Sequence, residues 1–373
     1  MLKLPLVLAF TAMTAFFWGI YGIVLHRGTS NMGVPTETNI ASDLGVSLRA
    51  FVGVGLAYFL IAVLVPVALL NRKKETGYWS MSGTIMSLFA GAVGALGALG
   101  VALALAFKGQ AIYVMPIVFG GAPVVNTLLT SWLNRSFKQI KPMFLVGMVL
   151  VALGMVGVLL TKPQGAAHGG EGVVNWFAVG LSIAMAVLCW GSYGPFLHLG
   201  QSRMGGSRLR PFCCVGIAYF VIAVVVPVVM LETMHTGTSY AWSGMMWSVL
   251  AGTAGALGAL GIIMAFTYGG KPIFVMPLVF GFAPVINTVT SIIISQKFDN
   301  LNAWFAVSLA LGIAGAVTVL LNAPKAAPHG KPASPATEGA TPTESKPADP
   351  VAAANQHPFV QAAMKAASND KPS

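Results

Sequence analysis

The chain contains the same apolar unit twice. Near the start of each copy a Trp, a Tyr and a His recur with a shift of 172 residues (198 − 26): Trp18, Tyr21 and His26, then Trp190, Tyr193 and His198. Farther along, a shift of 161 residues (287 − 126) continues without a gap through four matched pairs: Pro66 and Pro227, Gly94 and Gly255, Pro116 and Pro277, and Asn126 and Asn287. Paired apolar repeats are typical of membrane transporters, which build a central site where the repeats meet.

Only 8% of the 373 residues are charged, whereas 56% are hydrophobic. Roughly a quarter of the residues of a soluble domain are charged, so we expect lipid to cover this chain. Ten apolar stretches are each about long enough to cross ~30 Å of hydrocarbon as a helix: 4–25, 50–70, 83–106, 111–133, 143–161, 174–198, 211–231, 243–266, 272–295 and 303–321. We therefore predict an all-α membrane protein with ten transmembrane helices.

Lys and Arg are distributed unevenly between the two alternating sets of loops. One set contains eleven: Lys3, Arg72, Lys73, Lys74, Arg135, Lys138, Lys141, Arg203, Arg208, Arg210 and Lys271. The other set contains five: Arg27, Arg49, Lys108, Lys162 and Lys297. Because positive charge accumulates on the cytoplasmic side, we predict a multi-pass protein of the cell (inner or plasma) membrane with both termini in the cytoplasm. The same distribution argues against a nucleic-acid partner, despite the net charge of +11.

Each copy contains five predicted spans. Because five is odd, the second copy starts on the opposite side of the membrane, and the two copies form inverted repeats. We predict a first five-helix repeat over 1–162, a linker over 163–173 and a second five-helix repeat over 174–322. The remaining residues, 323–373, are rich in Ala, Pro, Lys, Thr and Ser and poor in large apolar residues, so a disordered cytoplasmic tail is expected.

Glycine recurs at every third position in the third span of each copy: Gly91, Gly94, Gly97 and Gly100, then Gly252, Gly255, Gly258 and Gly261. On a helix with 3.6 residues per turn, a step of three drifts around the axis, so the glycines open more than one face. Small residues let helices approach closely in lipid, and we favour this packing interpretation. The alternative is that the same faces leave room for a substrate or let helices slide.

The fourth span of each copy contains two prolines seven residues apart, followed by Asn and Thr: Pro116, Pro123, Asn126 and Thr127, then Pro277, Pro284, Asn287 and Thr288. Proline lacks an N–H and leaves the carbonyl four residues earlier without its helical partner. These carbonyls, with Asn and Thr, form a polar strip that must face protein, water or a ligand. The four prolines are candidate hinges, and the Asn and Thr residues, with Tyr113, are candidate substrate-binding residues. A kinked helix whose Asn bonds to a neighbouring helix is an equal alternative.

Trp18, Tyr21, Trp190 and Tyr193 are further candidate substrate-binding residues, because such rings can stack on a solute while their polar tips bond to its edge. Aromatic residues also form belts at membrane interfaces, but Trp18 lies in the middle of its span rather than at an end. The histidines fall at span ends and are interpreted as capping or interfacial groups.

No acidic residue lies in the middle of a predicted span. Intramembrane carboxylates usually relay protons or bind coupling ions, so their lack argues against a carboxylate-coupled antiporter and an intramembrane aspartyl protease. The sequence also contains no HExxH, Walker A or nucleophile-elbow motif. We therefore expect no enzyme activity, no catalytic residues, no metal and no cofactor. Cys189, Cys213 and Cys214 lie in apolar segments and are interpreted as small hydrophobic residues.

The two halves resemble the drug/metabolite transporter superfamily with its EamA-type repeat. The resemblance covers residues 4–321 and rests on the Met-Pro and Pro-Val steps of the fourth spans and the glycine-containing fifth spans: Met115-Pro116, Pro123-Val124, Met276-Pro277, Pro284-Val285, Pro142 to Gly154 and Ala303 to Gly315. The Trp-Gly-Ser-Tyr stretch at 190–193 resembles the rhamnose, glucose and ureide transporter branches.

This resemblance implies that spans 1, 3, 4, 6, 8 and 9 surround a central cavity, with spans 5 and 10 peripheral. It implies that six residues lie near the cavity: Trp18, Tyr21, Asn126, Trp190, Tyr193 and Asn287. One departure is that the Leu-x-Glu often found after the fourth span is replaced by Leu133-Asn134-Arg135 and Ile294-Ser295-Gln296. A coupling or anchoring role for that carboxylate therefore does not carry over.

Together these observations predict a secondary transporter that moves a small polar metabolite by alternating access. A sugar or another neutral solute is preferred, because no buried charge is present to pair with a charged one. The expected partners are this small-molecule substrate and the lipid bilayer; the oligomeric state is left open, with a homodimer as one arrangement. The alternatives are a non-transporting membrane receptor or scaffold protein, and a lipid-linked sugar flippase.

Overall fold

The computed structural model describes residues 3–33, 40–72, 75–107, 109, 111–135, 137–161, 175–235, 239–295 and 303–322. These residues belong to one compact unit, Met1–Pro324. The predicted linker over 163–173 and the predicted tail over 323–373 lie outside the described residues.

Within these ranges every regular element is helical, which confirms the predicted all-α class. The α-helices are α1 (Leu4–Ser30), α2 (Ile40–Tyr58), α3 (Val65–Leu70), α4 (Met81–Ala106), α5 (Ala111–Leu133), α6 (Pro142–Thr161), α7 (Trp176–Arg203), α8 (Leu209–Phe220), α9 (Val226–Thr233), α10 (Trp242–Thr267), α11 (Pro272–Ser295) and α12 (Ala303–Asn322). A short 3-10 helix, Phe137–Gln139, precedes α6.

Two π-helical segments, Phe59–Leu64 and Val221–Val225, join α2 to α3 and α8 to α9 into continuous helices. At the end of each segment a backbone N–H bonds to the carbonyl five residues earlier instead of four. Pro66 and Pro227 lie two positions after the last residues of these segments. In a regular helix the proline ring clashes with the carbonyl four residues earlier, and the wider π turn just before each proline accommodates this.

Among the described residues, six helices are long and apolar enough to cross a membrane: Leu4–Ser30, Leu44–Leu70, Met81–Ala104, Trp176–Arg203, Leu209–Thr233 and Trp242–Thr267. Shorter apolar segments lie in α5, α6, α11 and α12. The helices also expose large apolar side chains, among them Phe16, Phe89, Leu128, Leu153, Leu188 and Val229. Lipid covers such a surface better than water does, and the chain is a multi-pass membrane protein, as predicted.

The helices pack in pairs that correspond between the two halves of the chain. By the sequence shifts, α1 is repeated as α7, α4 as α10, α5 as α11 and α6 as α12. Accordingly, α1 packs along α10 while α4 packs along α7, and α11 packs against α1 while α5 packs against α7. The equivalent helices α6 and α12 pack against each other.

The starts of α1 and α4 lie at the same end of the bundle as the ends of α7 and α10. Three hydrogen bonds join these termini: Lys3 N to Tyr268 O (3.0 Å), Ser80 Oγ to Arg203 O (2.8 Å) and Gln201 Nε2 to Thr267 Oγ1 (2.9 Å). We call this the basic end, because Lys3, Arg203 and Lys271 lie there, and we call the opposite end the far end.

Candidate functional site

Two indole rings lie against glycine faces of neighbouring helices. Trp190 of α7 covers Gly97 of α4, and Trp18 of α1 covers Gly258 of α10, so closely that a methyl group on either glycine would overlap the ring. Both indole N–H groups donate to backbone carbonyls of the same helices: Trp190 Nε1 to Gly94 O (3.1 Å) and Trp18 Nε1 to Gly255 O (3.2 Å). The indole N–H groups are thus used within the protein. Stacking of these two rings on a solute stays a prediction.

Tyr58 and Tyr219 occupy the same position in the two copies (219 − 58 = 161) and stack on each other. Their ring centroids are 3.8 Å apart and their planes differ by 4°. Glycines make room beside both rings, because a methyl group on Gly94 would lie 3.2 Å from Tyr219 Oη and one on Gly255 would lie 3.1 Å from Tyr58 Oη. The glycine spacing therefore positions the tyrosines as well as the tryptophans.

Further rings connect the two tryptophans. Phe119 of α5 lies 5.9 Å from Trp190 and 6.2 Å from Phe280 of α11, measured between ring centroids. Trp18 lies 6.4 Å from Phe280 and 5.9 Å from Tyr193. We call these residues the central aromatic cluster: Trp18, Tyr58, Phe119, Trp190, Tyr193, Tyr219 and Phe280.

The two candidate tyrosines differ in their surroundings. Tyr193 is buried, and its hydroxyl has no hydrogen-bond partner among the described residues. Tyr21, its equivalent in the first copy, is half-buried and packs against the same apolar core. A buried hydroxyl without a partner is costly, so the Tyr193 hydroxyl is a group that a bound solute or water would satisfy.

The two candidate asparagines face protein, as a polar group in an apolar helix requires. Asn126 of α5 is fully buried, and its Nδ2 donates to Pro272 O at the start of α11 (2.9 Å). Asn287 of α11 is half-buried, and its Nδ2 donates to Gly19 O of α1 (2.9 Å). Both hydrogen bonds join helices that are distant in sequence. This matches the alternative for the polar strip in which each Asn bonds to a neighbouring helix. Asn126 Oδ1 has no partner among the described residues.

The Thr127 side chain faces α6. Its hydroxyl contacts Met148 Sδ of α6 (2.9 Å), because it follows Asn126 by one residue and so faces a different side of α5. This contact joins α5 to α6, and a substrate-binding role for Thr127 stays a prediction. The side chains of Tyr113, Pro116 and Thr288 lie outside the described residues.

The candidate hinge prolines that the structure describes are buried within continuous helices. Pro277 and Pro284 lie inside α11, and Pro123 lies inside α5. The prolines do not end their helices, and a hinge role stays a prediction.

The packing interpretation of the glycine repeats is confirmed. Gly91 meets Val215 of α8, whereas Gly100, about two and a half turns along the same helix, meets Ser182 and Ala186 of α7. The repeat in α10 turns in the same way, from α2 beside Gly252 to α1 beside Gly261. The three-residue step therefore gives each glycine-bearing helix two close neighbours.

Charged side chains are absent from the central aromatic cluster. Among the described residues no group of three or more His, Cys, Asp or Glu could hold a metal ion. Glu75 lies at the basic end, where it bonds to the start of α8 and to Arg210. His198 packs edge-on against Phe266, with ring centroids 5.1 Å apart.

Sequence reasoning missed the contacts of Tyr58, Phe119, Tyr219 and Phe280. The sequence contains a signal for these contacts, because Tyr58 and Tyr219, like Phe119 and Phe280, are separated by the 161-residue shift of the repeat (219 − 58 and 280 − 119). Residues that repeat at equivalent positions and contact their own counterparts lie where the copies meet.

No family model matches the chain, and no curated protein matches it in sequence. Seventeen chains of solved structures match. One of them, a crystal structure described only as that of a protein, has a TM-score of 0.58 and 14% sequence identity, and the match covers 84% of this chain and 97% of that chain. At this identity the similarity concerns the fold alone.

Proposed function

We propose that the chain is a secondary transporter that moves a small polar metabolite across the membrane by alternating access. The observation that carries the proposal is the central aromatic cluster. It contains rings of both copies, from α1, α2 and α5 in the first copy and from α7, α8 and α11 in the second. Transporters with repeated halves bind their solute at the interface of the halves.

We further propose that ten helices cross the membrane as two inverted five-helix repeats, 1–162 and 174–322, with α2–α3 and α8–α9 each forming one span. The corresponding helix pairs and the two Trp–Gly contacts support this two-fold relation. The motifs that resemble the EamA-type repeat favour membership of the drug/metabolite transporter superfamily. The excess of Lys and Arg favours an orientation with the basic end and both termini in the cytoplasm. The membrane concerned is the inner or plasma membrane of the cell.

The proposed solute is neutral, with a sugar preferred. The central aromatic cluster presents ring faces, which suit the C–H face of a sugar ring. Polar contacts would come from the Tyr193 hydroxyl and from the two asparagine side chains. Because none of the residues in the cluster is charged, a charged solute would lose its hydration without gaining a partner.

The test is uptake into proteoliposomes. Purified protein is first screened for thermal stabilisation by neutral metabolites, since a ligand that binds only the folded state raises its stability. Each stabilising compound is then radiolabelled and its accumulation is compared with that in empty vesicles. We expect at least one neutral solute to accumulate, and Asn126→Ala combined with Asn287→Ala to abolish its uptake at unchanged protein abundance.

The matched control is Thr318→Ala, which removes an exposed hydroxyl that donates, among the described residues, to Ala314 O within α12. Its uptake should equal that of the wild type. If the double asparagine variant takes up solute as well as the wild type does, the polar strip is not part of the solute pathway.

Two other functions predict different outcomes. A receptor or scaffold would bind a metabolite in the thermal screen without accumulating it. A lipid-linked sugar flippase would move a fluorescent lipid-linked sugar between leaflets while leaving free sugars outside the vesicles.

A further inference from the structure

The contacts at the two ends of the bundle are unequal, although the residues that make them are equivalent. Gly194 of α7 and Gly22 of α1 correspond by the 172-residue shift. A methyl group on Gly194 would meet the Met276 side chain at 2.5 Å and Asn126 Oδ1 at 3.2 Å. A methyl group on Gly22 would have a single described atom within 4 Å, Asn287 Nδ2 at 3.2 Å. Met115, the equivalent of Met276, does not reach Gly22.

Residues at the basic end are also more buried than their equivalents at the far end. Met276 and Leu278, in the first turns of α11, are 0% and 5% exposed, whereas Ile117, the equivalent of Leu278 in α5, is 50% exposed. Gly194 is buried, whereas Gly22 is exposed. The start of α11 is thus packed against α7 and α5 at the basic end, while the start of α5 is not packed in the same way at the far end.

The asparagine hydrogen bonds differ accordingly. Asn126 donates to Pro272 O, across the basic end and into the other half of the chain. An equivalent bond from Asn287 would go to Ala111 O (272 − 161), but Asn287 donates to Gly19 O instead. By the same equivalence, the alternative acceptor of Asn126 is Gly191 O (19 + 172).

We infer that Asn126 and Asn287 are reciprocal gating residues, each of which changes its carbonyl acceptor as one end of the bundle closes and the other opens. In the structure the basic end is closed by Asn126–Pro272 and Met276–Gly194. In the opposite state the far end is closed by Asn287–Ala111 and Met115–Gly22, and Asn126 donates to Gly191. The inference rests on the proposed transport function, but it concerns conformation and is tested without a solute.

Unpartnered polar atoms at the closed end support this exchange. Asn126 Oδ1, Thr130 Oγ1 and Gln201 Oε1 are buried there and have no hydrogen-bond partner among the described residues. Burying such atoms is costly. Water that enters when the basic end opens would satisfy them, so the closed end holds the polar lining of a pathway that opens.

The bonds of the two asparagines differ in how readily water can replace them. The bond from Asn126 is fully buried, whereas the bond from Asn287 is only part-buried. Loss of Asn126 therefore costs the observed state more than the opposite state, and by the same equivalence loss of Asn287 costs the opposite state more. The two substitutions should shift the conformational equilibrium in opposite directions.

The experiment uses the full chain in lipid nanodiscs, where both faces are accessible. The three native cysteines, Cys189, Cys213 and Cys214, are replaced by alanine, and a single reporter cysteine is placed at Met276 or at Met115. The rate of reaction with a charged, water-soluble maleimide measures the opening of each end. In the parent background Met115→Cys should react faster than Met276→Cys.

Asn126→Ala should raise the labelling rate of Met276→Cys about twofold, less than the factor for a whole net hydrogen bond because Asn126 is bonded in both states, and lower that of Met115→Cys. Asn287→Ala should do the reverse. Asn126→Leu, which keeps the volume and lacks the donor, must act in the same direction as Asn126→Ala and serves if the alanine variant does not fold.

The inference is overturned if the asparagine variants change both reporter rates in the same direction or leave them unchanged. Reciprocal labelling shifts in a protein that accumulates no solute would instead support the gate and count against the transport function. Uptake without labelling shifts would support the transport function and overturn the gate.

Discussion

Gly258 of α10 lies beneath the indole ring of Trp18, and a methyl group there would overlap ring atoms Cδ1 and Nε1. The spacing of the glycines alone predicted that the helix presents open faces to close neighbours. It did not predict which side chain fills the opening, because Trp18 lies 240 positions away in sequence (258 − 18). That contact depends on the relative register of two helices, which no local pattern encodes.

Substitution of Gly258 tests this contact. Overpacking usually costs roughly 1–3 kcal/mol, whereas Ala gains about 0.5–1 kcal/mol over Gly within a helix. We therefore expect Gly258→Ala to lower the free energy of unfolding by roughly 0.5–2 kcal/mol, the difference between the two effects. The matched control is Gly120→Ala in α5, where the nearest atom, Val156 Cγ2, would be at an ordinary 3.8 Å. Heat-induced unfolding in detergent measures both variants. A wild-type midpoint for Gly258→Ala would contradict the tight indole–glycine contact.

Apolar length predicted the positions of the helices more reliably than it predicted their ends. The second apolar stretch was placed at 50–70, but α2 begins at Ile40. The residues before position 50 include Asp43, Ser47 and Arg49, so the helix continues beyond its apolar part. The π segments before Pro66 and Pro227 were also missed, although the repeated prolines were the available signal.

The start of α8 was also outside the reach of sequence reasoning, because a residue from another loop caps it. Glu75 Oε1 accepts hydrogen bonds from Arg208 N (2.6 Å) and Leu209 N (2.9 Å), and Oε2 accepts one from Ser207 Oγ (2.8 Å). The Glu75 side chain is only 5% exposed. A carboxylate at a helix N-terminus bonds to N–H groups that lack helical partners and interacts favourably with the helix dipole.

Removal of this cap should therefore destabilise the basic end. We expect Glu75→Ala to cost about 2 kcal/mol of unfolding free energy, in the range for buried hydrogen bonds to a charged group. Glu75→Gln keeps one acceptor oxygen and should lose about half as much. Hydrogen exchange of the backbone amides at 208–210 gives a local readout, and faster exchange is expected for Glu75→Ala. Unchanged exchange there would show that the cap does not hold the start of α8.

At the scale of the whole molecule, the repeat predicted which residues correspond but not which end is closed. Asn126 and Asn287 sit in nearly the same sequence, Pro-Val-Val-Asn-Thr and Pro-Val-Ile-Asn-Thr, yet they donate to non-equivalent carbonyls. Two similar sequences favour two similar structures, and the difference arises only when both halves pack together. A protein that exchanges these two arrangements needs similar sequences at both sites. For the same reason, the sequence does not indicate which of the two states the protein occupies.

The orientation of the whole bundle follows from charge. The basic end contains Lys3, Arg203, Arg210 and Lys271, and short loops rich in Lys and Arg stay on the cytoplasmic side during insertion. In the cysteine-free background we therefore expect Asn31→Cys, which is exposed at the far end, to react with an impermeant maleimide added to intact cells. Arg72→Cys, which is exposed at the basic end, should react only after the membrane is made permeable. If Arg72→Cys reacts in intact cells while Asn31→Cys is protected, the bundle has the opposite orientation, and the closed gate at Asn126 faces the outside.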